Sequence, residues 1–138
     1  MGAAALLGVA LTGCRSPIRA DGLDQSMGSV FTHLYALNQR QRALPVDQAD
    51  LHTKVTCLRD NVAAPSSGPG DDWVCNIVWR TAQATSAGAT YTVTVHAAGC
   101  FTADGDGPAD LVGSPTLVDA EGETVVNPLW AFDGCLRF

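Results

Sequence analysis

The middle of the chain reads Trp73-Val74-Cys75-Asn76-Ile77-Val78-Trp79, and every second side chain in this run is a tryptophan, a cysteine or an isoleucine. A later run, Thr90-Tyr91-Thr92-Val93-Thr94-Val95-His96, alternates apolar residues with threonines. Successive side chains of a β-strand point to opposite faces, so both runs predict strands with one buried and one exposed face. This alternation is typical of an antiparallel sheet that a second layer covers on one side only.

A helical pattern precedes these strands, from about Ser26 to Arg42. Its apolar residues recur at spacings of three and four, as on the buried face of an amphipathic helix: Val30, Phe31, Leu34 and Leu37. We predict that Asp24 or Ser26 caps the start of this helix and that Pro45 ends it. His33 falls on the polar face. The helix is the predicted second layer.

Further elements follow from local signals. Thr53 to Leu58 predicts another strand, and Thr116–Asp119 with Thr124–Val126 predicts a hairpin that turns at Gly122. Breaker residues predict loops at 63–72, 81–89 and 101–113. The chain is therefore predicted to be an α+β domain, with one N-terminal helix packed on an antiparallel sheet of about four to six strands.

The cysteines indicate an oxidising compartment. Setting Cys14 aside leaves an even number, as expected for disulfide pairs in an exported protein: Cys57, Cys75, Cys100 and Cys135. Of the three possible pairings we predict Cys57–Cys75, between neighbouring strands, and Cys100–Cys135, between a strand end and the tail. No metal or cofactor is predicted, because there is no CxxC pair and the histidines lack zinc-site spacing.

The beginning of the chain carries Leu11-Thr12-Gly13-Cys14 after an apolar run from Ala3 to Leu11. This run is much shorter than the ~20 residues of a membrane-spanning helix and is typical of a signal sequence. The pattern resembles the lipobox of bacterial lipoproteins. One lysine against seven arginines is consistent with an actinobacterial source.

The resemblance implies a protein that is anchored in the cell membrane and faces its extracytoplasmic side. Residues 1–13 would be removed as the signal peptide, and Cys14 would carry the lipid. Pro17, Gly22 and polar neighbours predict that residues 14–25 form a lipidated tether, and residues 26–138 are predicted to form a single domain. Two hydrocarbon chains would hold such a domain on the membrane durably.

The charge of the chain excludes some partners. Its formal net charge is −6, with 8 basic and 14 acidic residues. Nucleic acid is not a predicted partner, because phosphate binding needs a basic surface. Anionic headgroups would also repel this surface, so the acyl anchor is expected to supply the membrane contact, with at most a small contribution from Arg15 and Arg19.

Catalytic patterns are missing from the sequence. The loop from Asp104 to Asp110 resembles a calcium loop, but Pro108 occupies a ligand position and Ala109 stands where the sharp turn needs glycine. Ser66 and Ser67 lie in a Gly/Pro-rich loop without a GxSxG elbow. The sequence therefore predicts no enzymatic activity.

The remaining signals are those of recognition. Acidic and aromatic residues stand together at two places and are the candidate binding residues: Asp71, Asp72, Trp73, Trp130 and Asp133. We expect a non-enzymatic module that binds a membrane-proximal protein partner. A carrier of a small or lipidic ligand is the alternative and would show a cavity between helix and sheet. A small hydrolase, the third hypothesis, would bring a histidine and a carboxylate together in a cleft.

Overall fold

The computed structural model describes residues 17–61, 63 and 65–138. The predicted signal peptide, the lipobox and Cys14 lie outside these residues. The elements in chain order are α1 (Ala20–Gln41), β1 (Lys54–Arg59), β2 (Gly70–Arg80), β3 (Ser86–Val95), β4 (Cys100–Gly105), α2 (Ala109–Val112), β5 (Thr116–Val118), β6 (Thr124–Val126) and β7 (Ala131–Cys135). In this part of the chain, none of the helices combines the length and the apolar character needed to cross a membrane.

Five strands form one antiparallel sheet in the order β1-β2-β3-β4-β7, and α1 packs on one of its faces. The predicted α+β architecture is confirmed, and five strands fall within the expected range. The alternation in β2 behaves as predicted, since Cys75 and Ile77 are buried while Asn76 and Val78 are exposed. The opposite face of the sheet carries no second layer from the described residues.

Aromatic rings fill the space between α1 and the sheet. The ring centroid of Phe31 lies 4.7 Å from that of Trp79 and 6.0 Å from that of Tyr35. On the other side of the core, Tyr91 and Phe132 meet edge to face at 5.0 Å. Each fully buried side chain of this size contributes about 1.5–3 kcal/mol to the stability of the fold.

Both predicted disulfides are present. Cys57 and Cys75 are direct cross-strand partners in β1 and β2, and Cys100 and Cys135 are direct partners in β4 and β7. Each bridge ties one edge strand of the sheet, β1 or β7, to its neighbour. Because each bridge joins residues that already face each other, the disulfides reinforce the strand order of the sheet.

The predicted start of the helix is wrong. α1 begins at Ala20, before Asp24 and Ser26, and no side-chain hydrogen bond caps its first turn. Asp24 instead accepts a hydrogen bond from the backbone N–H of Cys57 at 2.7 Å, which fixes the helix to β1. Ile18 is also buried, so the folded domain begins by Ile18, and residues 18–25 do not belong to a tether as predicted. Tertiary contacts, which a local capping signal does not report, extend the helix.

All three predicted loops contain regular structure. Residues 63–72 include the first three residues of β2. Residues 101–113 include most of β4 and all of α2, and residues 81–89 include the start of β3. Asp104 and Gly105 take part in β4 because neighbouring strands supply backbone partners that outweigh their weak strand propensity. The hairpin of β5 and β6 is confirmed, and Gly122 adopts the positive φ that its turn requires.

The domain has two distinct ends. We call the end at which α1 begins the proximal end; there the carbonyl of Ile18 accepts a hydrogen bond from Gly68 N–H at 2.8 Å. The distal end is where α1 finishes, and there the carbonyl of Gln41 accepts from Ala120 N–H in the turn between β5 and β6 at 2.8 Å. The 22 residues of α1 span about 33 Å between these ends.

Candidate functional site

The first predicted recognition cluster belongs mostly to the scaffold. Trp73 is 0% exposed, and its indole N–H donates to the carbonyl of Gly68 at 3.2 Å. Its ring therefore supports the loop before β2 and is not presented to a partner. Asp71, two residues before Trp73, is exposed at the proximal end of the sheet.

Asp72 is held in an ion pair with Arg59. The Nη2 and Nε atoms of Arg59 lie 2.6 Å and 2.8 Å from Asp72 Oδ1, and Nη1 donates to the carbonyl of Ser67 at 2.9 Å. The guanidinium also lies over the ring of Trp73, 5.1 Å from its centroid. The hydrogen bond from Arg59 holds the pKa of Asp72 below its usual value. These contacts fix the loop to β1, and the carboxylate of Asp72 is already paired with Arg59 and not presented to a partner.

The second predicted cluster is more accessible but lies elsewhere. Trp130 is 39% exposed and sits at the distal end, where its carbonyl accepts from Gly105 N–H at 2.9 Å. Asp133 is exposed in β7, directly across from Thr102. By strand register Asp133 lies level with the start of β2 but three strands away from it, whereas Trp130 lies at the other end of β7. The structure therefore does not bring the two predicted clusters together.

Asn127 is an important position that the sequence analysis did not single out. It is buried, and its Nδ2 donates to the carbonyls of Val112 and Ser114 at 2.8 Å and 2.9 Å. Its Oδ1 accepts from Leu129 N–H at 3.0 Å and from Asn38 Nδ2 at 3.2 Å. The side chain joins α1, the segment after α2 and the tail. Only the Asn-Pro pair hinted at a turn here.

The uncovered face of the sheet is polar in its centre and apolar towards β1. Thr90 donates to Asn76 across β2 and β3 at 2.8 Å, and the neighbouring threonine Thr92 is exposed. Leu58 and Val78 are also exposed on this face. The predicted solvent-facing side of the sheet is thus confirmed for β3, and it ends in two exposed aliphatic side chains at its β1–β2 side.

The β5–β6 hairpin presents the most exposed apolar residues of the distal end. Val118 and Val126 are 64% and 73% exposed on one face of this two-stranded ribbon. Leu44, just after α1, is another exposed apolar residue of the distal end. Contiguous exposed apolar patches often mark interaction sites, and the alternating valines Val118 and Val126 were the signal in the sequence for an apolar surface on this hairpin.

A cleft of about 370 Å³ opens beside the end of β2. His52, Arg80, Asp47 and Asp50 contribute to its walls. His52 and Ala84, which also line it, have positive φ angles of 46° and 57°. Such backbone conformations cost of order 1–3 kcal/mol in non-glycine residues and are concentrated at functional sites. We call this feature the His52 cleft.

The His52 cleft meets part of the criterion for a hydrolase. It places a histidine near two carboxylates, but within the described residues His52 makes no hydrogen bond or ion pair with Asp47 or Asp50. Asp47 instead caps the short 3-10 helix by accepting from Ala49 N–H at 3.0 Å. The cleft therefore contains the residue types of a catalytic pair without their mutual orientation.

No protein family, curated protein or solved structure matches this chain. The functional conclusion therefore rests on the geometry of its own residues.

One acidic cluster has the composition of a cation site. Carboxylate oxygens of Asp119, Glu121 and Glu123 lie within 4.8 Å of one another in the β5–β6 turn. Asp119 Oδ1, however, accepts from the N–H groups of Glu121 and Glu123, both at 2.9 Å. Its carboxylate therefore has a structural role in closing the turn. The Asp104–Asp110 segment, which resembles a calcium loop, is divided between β4 and α2.

The space along α1 is open at its flanks. A groove of about 520 Å³ runs between α1 and β1, lined by small and polar residues such as Gly28, Ser29 and Thr53. Asp24 lines it too, and burial raises the pKa of this carboxyl although the Cys57 amide opposes the effect. The groove is a surface feature, since the aromatic rings described above occupy the centre between helix and sheet.

Proposed function

We propose that this chain is a lipoprotein, anchored through Cys14 at the extracytoplasmic side of the cell membrane, that binds a membrane-proximal protein partner without catalysis. The observation that carries the proposal is the early start of the fold. Only Arg15, Ser16 and Pro17 separate Cys14 from the buried Ile18.

This short separation limits the height of the domain above the membrane. A fully extended chain reaches at most about 3.3–3.6 Å per residue, so the backbone of Ile18 lies within about 14 Å of an acylated Cys14. The longer tether expected from the sequence would allow much more freedom. The proximal end of the domain would therefore stay near the membrane, and with α1 directed away from the bilayer the distal end would lie about 33 Å farther out.

The distal end supplies the surface for the partner. Val118 and Val126 on the hairpin and the half-exposed ring of Trp130 are apolar groups that burial would stabilise. Tryptophan is enriched among the residues that dominate binding energy. A partner that reaches this height would be the ectodomain of a membrane protein or another protein held at the same membrane.

Photo-crosslinking in living cells tests the proposal. A photoreactive amino acid at Val126 or Trp130 should give adducts with the same membrane-associated protein, whereas the matched positions His33 and Thr92 should not. His33 is exposed on α1 and Thr92 on the open face of the sheet. Adducts of equal yield at all four positions, or none at the distal positions, would contradict the proposed surface.

The anchor needs its own test. Growth with a labelled fatty acid should label the wild-type chain, and Cys14→Ser should abolish the label and release the protein from membranes. Unlabelled protein that remains on membranes would overturn the lipoprotein assignment.

A small ligand in the His52 cleft is the second candidate. It is favoured by the two strained residues that line this cleft, His52 and Ala84. Arg80 and the two nearby aspartates would suit a ligand that carries both charges. Calorimetric screening of charged and zwitterionic metabolites with wild type and Arg80→Ala would detect such a ligand; binding that Arg80→Ala leaves unchanged would argue against the cleft.

A further inference from the structure

We propose that the proximal end of the domain contacts the bilayer itself, and that the ring of Phe138 enters the interfacial region of the outer leaflet beside the acylated Cys14. This inference rests on the lipid anchor of the proposed function. It adds a second, non-covalent contact that sets the orientation of the domain on the membrane.

Phe138 is an exposed aromatic residue with a defined position. The residue is 73% exposed. One side of the ring lies against Gly99, where an added Cβ would come within 2.5 Å of the Phe138 Cζ atom. Gly99 also has a φ of 91°, so the backbone of this turn favours glycine. The ring is therefore held on the turn between β3 and β4.

This turn lies at the same end as the anchor. The N–H of Leu136 donates to the carbonyl of Gly99 at 2.9 Å, and Leu136 Cδ2 lies 3.5 Å from the Cβ position of Gly22 in the first turn of α1. Ile18 directly precedes that turn, and the chain from Ile18 to Cys14 reaches at most about 14 Å. Cys14 and Phe138 therefore approach the membrane from one end of the molecule.

The chemistry of this end favours an apolar contact over an electrostatic one. Aromatic residues are enriched at the interface between membrane and water. Arg137 is exposed next to Phe138, but Asp60 and Asp71 are exposed at the same end. Arg19 is close to Asp21, with 3.5 Å between Nε and Oδ1. Two arginines therefore stand against three aspartates at this end, which carries no basic excess, and the contact should not depend on anionic lipid.

Fluorescence quenching by brominated lipids tests the contact. The full acylated chain is reconstituted with Trp130→Phe, which removes the half-exposed tryptophan and leaves the buried Trp73 and Trp79 as a constant background. Phe138→Trp in this chain should lose fluorescence and shift to shorter wavelength in vesicles of brominated phosphatidylcholine. Val126→Trp is the matched control, because Val126 is equally exposed at the distal end. It should show neither change.

The outcomes separate this inference from the proposed function. Mass spectrometry of the same preparation reports whether Cys14 is acylated; a chain without acylation would overturn the lipoprotein assignment and this inference with it. If the chain is acylated but the Phe138→Trp variant is quenched no more than the Val126→Trp variant, the inference alone is overturned. Quenching that requires added phosphatidylglycerol would also overturn it, since the contact would then be electrostatic.

Discussion

Asn127→Ala is expected to be among the most damaging single substitutions in this domain. The side chain forms four hydrogen bonds, and its truncation leaves the carbonyls of Val112 and Ser114, the N–H of Leu129 and the amide of Asn38 without these partners. Three of the four bonds are buried, so water cannot replace them without opening the structure.

The magnitude follows from these contacts. A hydrogen bond contributes about 1 kcal/mol net, and each buried group left unsatisfied costs about 1–3 kcal/mol. Because the released side chains regain some freedom and the site can partly relax, we expect the free energy of unfolding to fall by about 3 kcal/mol. For a domain of this size that corresponds to a decrease in Tm of about 10 °C.

Chemical unfolding in urea and hydrogen exchange measure the effect. The free energy of unfolding should fall for Asn127→Ala. Relative to the wild type, hydrogen exchange should become faster for the amides around α2 than it does for those of β2. Asn127→Asp should also destabilise, since a carboxylate cannot donate to Val112 or Ser114. Asn76→Ala is the control, because Asn76 is exposed and its side chain accepts a single hydrogen bond, from Thr90. A loss below about 1 kcal/mol for Asn127→Ala, or equal losses in both alanine variants, would refute the reasoning.

Four further outcomes are expected. Replacing both Cys57 and Cys75 by alanine should cost about 3 kcal/mol in guanidinium unfolding, from the entropy of a loop with 18 residues of separation, and removal of the other disulfide should cost slightly more because its separation is 35. Burial raises the pKa of Tyr91, so the contribution of the neutral phenol to the stability of the fold is fully present below about pH 10 and is lost as the pH rises through the raised pKa. Above about pH 10 the free energy of unfolding should therefore fall faster for the wild type than for Tyr91→Phe. Burial raises the pKa of Asp24 above 3.8, so the wild-type protein loses stability as the pH rises through that raised pKa. Asparagine does not ionise, so the free energy of unfolding of Asp24→Asn, compared with that of the wild type at the same pH, should be more favourable at neutral pH than in acid. His52→Gly should raise the Tm by relieving the positive φ, and an unchanged or lower Tm would remove the argument from strain.

The sheet and its disulfides were predictable because their signals are local. The alternation in β2 and β3 reports which side chains can be buried together, and it holds whatever lies on the covered face. The pairing of Cys57 with Cys75 followed from placing them on neighbouring strands, and the structure confirms it. The hairpin at Gly122 was predictable for the same reason, since its turn needs a residue that accepts positive φ.

The candidate site was much less predictable. Trp73 and Trp130 look alike in sequence, yet one is fully buried and the other is half exposed. Asp72 carries the same charge as Asp71, but only Asp72 meets Arg59. Each difference depends on which residue from a distant segment lies beside it. The same is true of Ile18, which belongs to the predicted tether in the sequence but is buried in the folded domain.

Residue order alone was sufficient to predict the α+β class, the strand pattern and the disulfide pairs, because each depends on periodicity or spacing. The address at Cys14 rests on a short motif and stays a prediction. Folding in three dimensions decided the rest: the start of α1, the strand role of residues 100–105, the network around Asn127 and the separation of the two recognition clusters onto β2 and β7. Short-range signals in the sequence report the conformation of a segment and its preferred face. They do not report which distant segment supplies the partner, and in this protein those long-range partners determine what is exposed for binding.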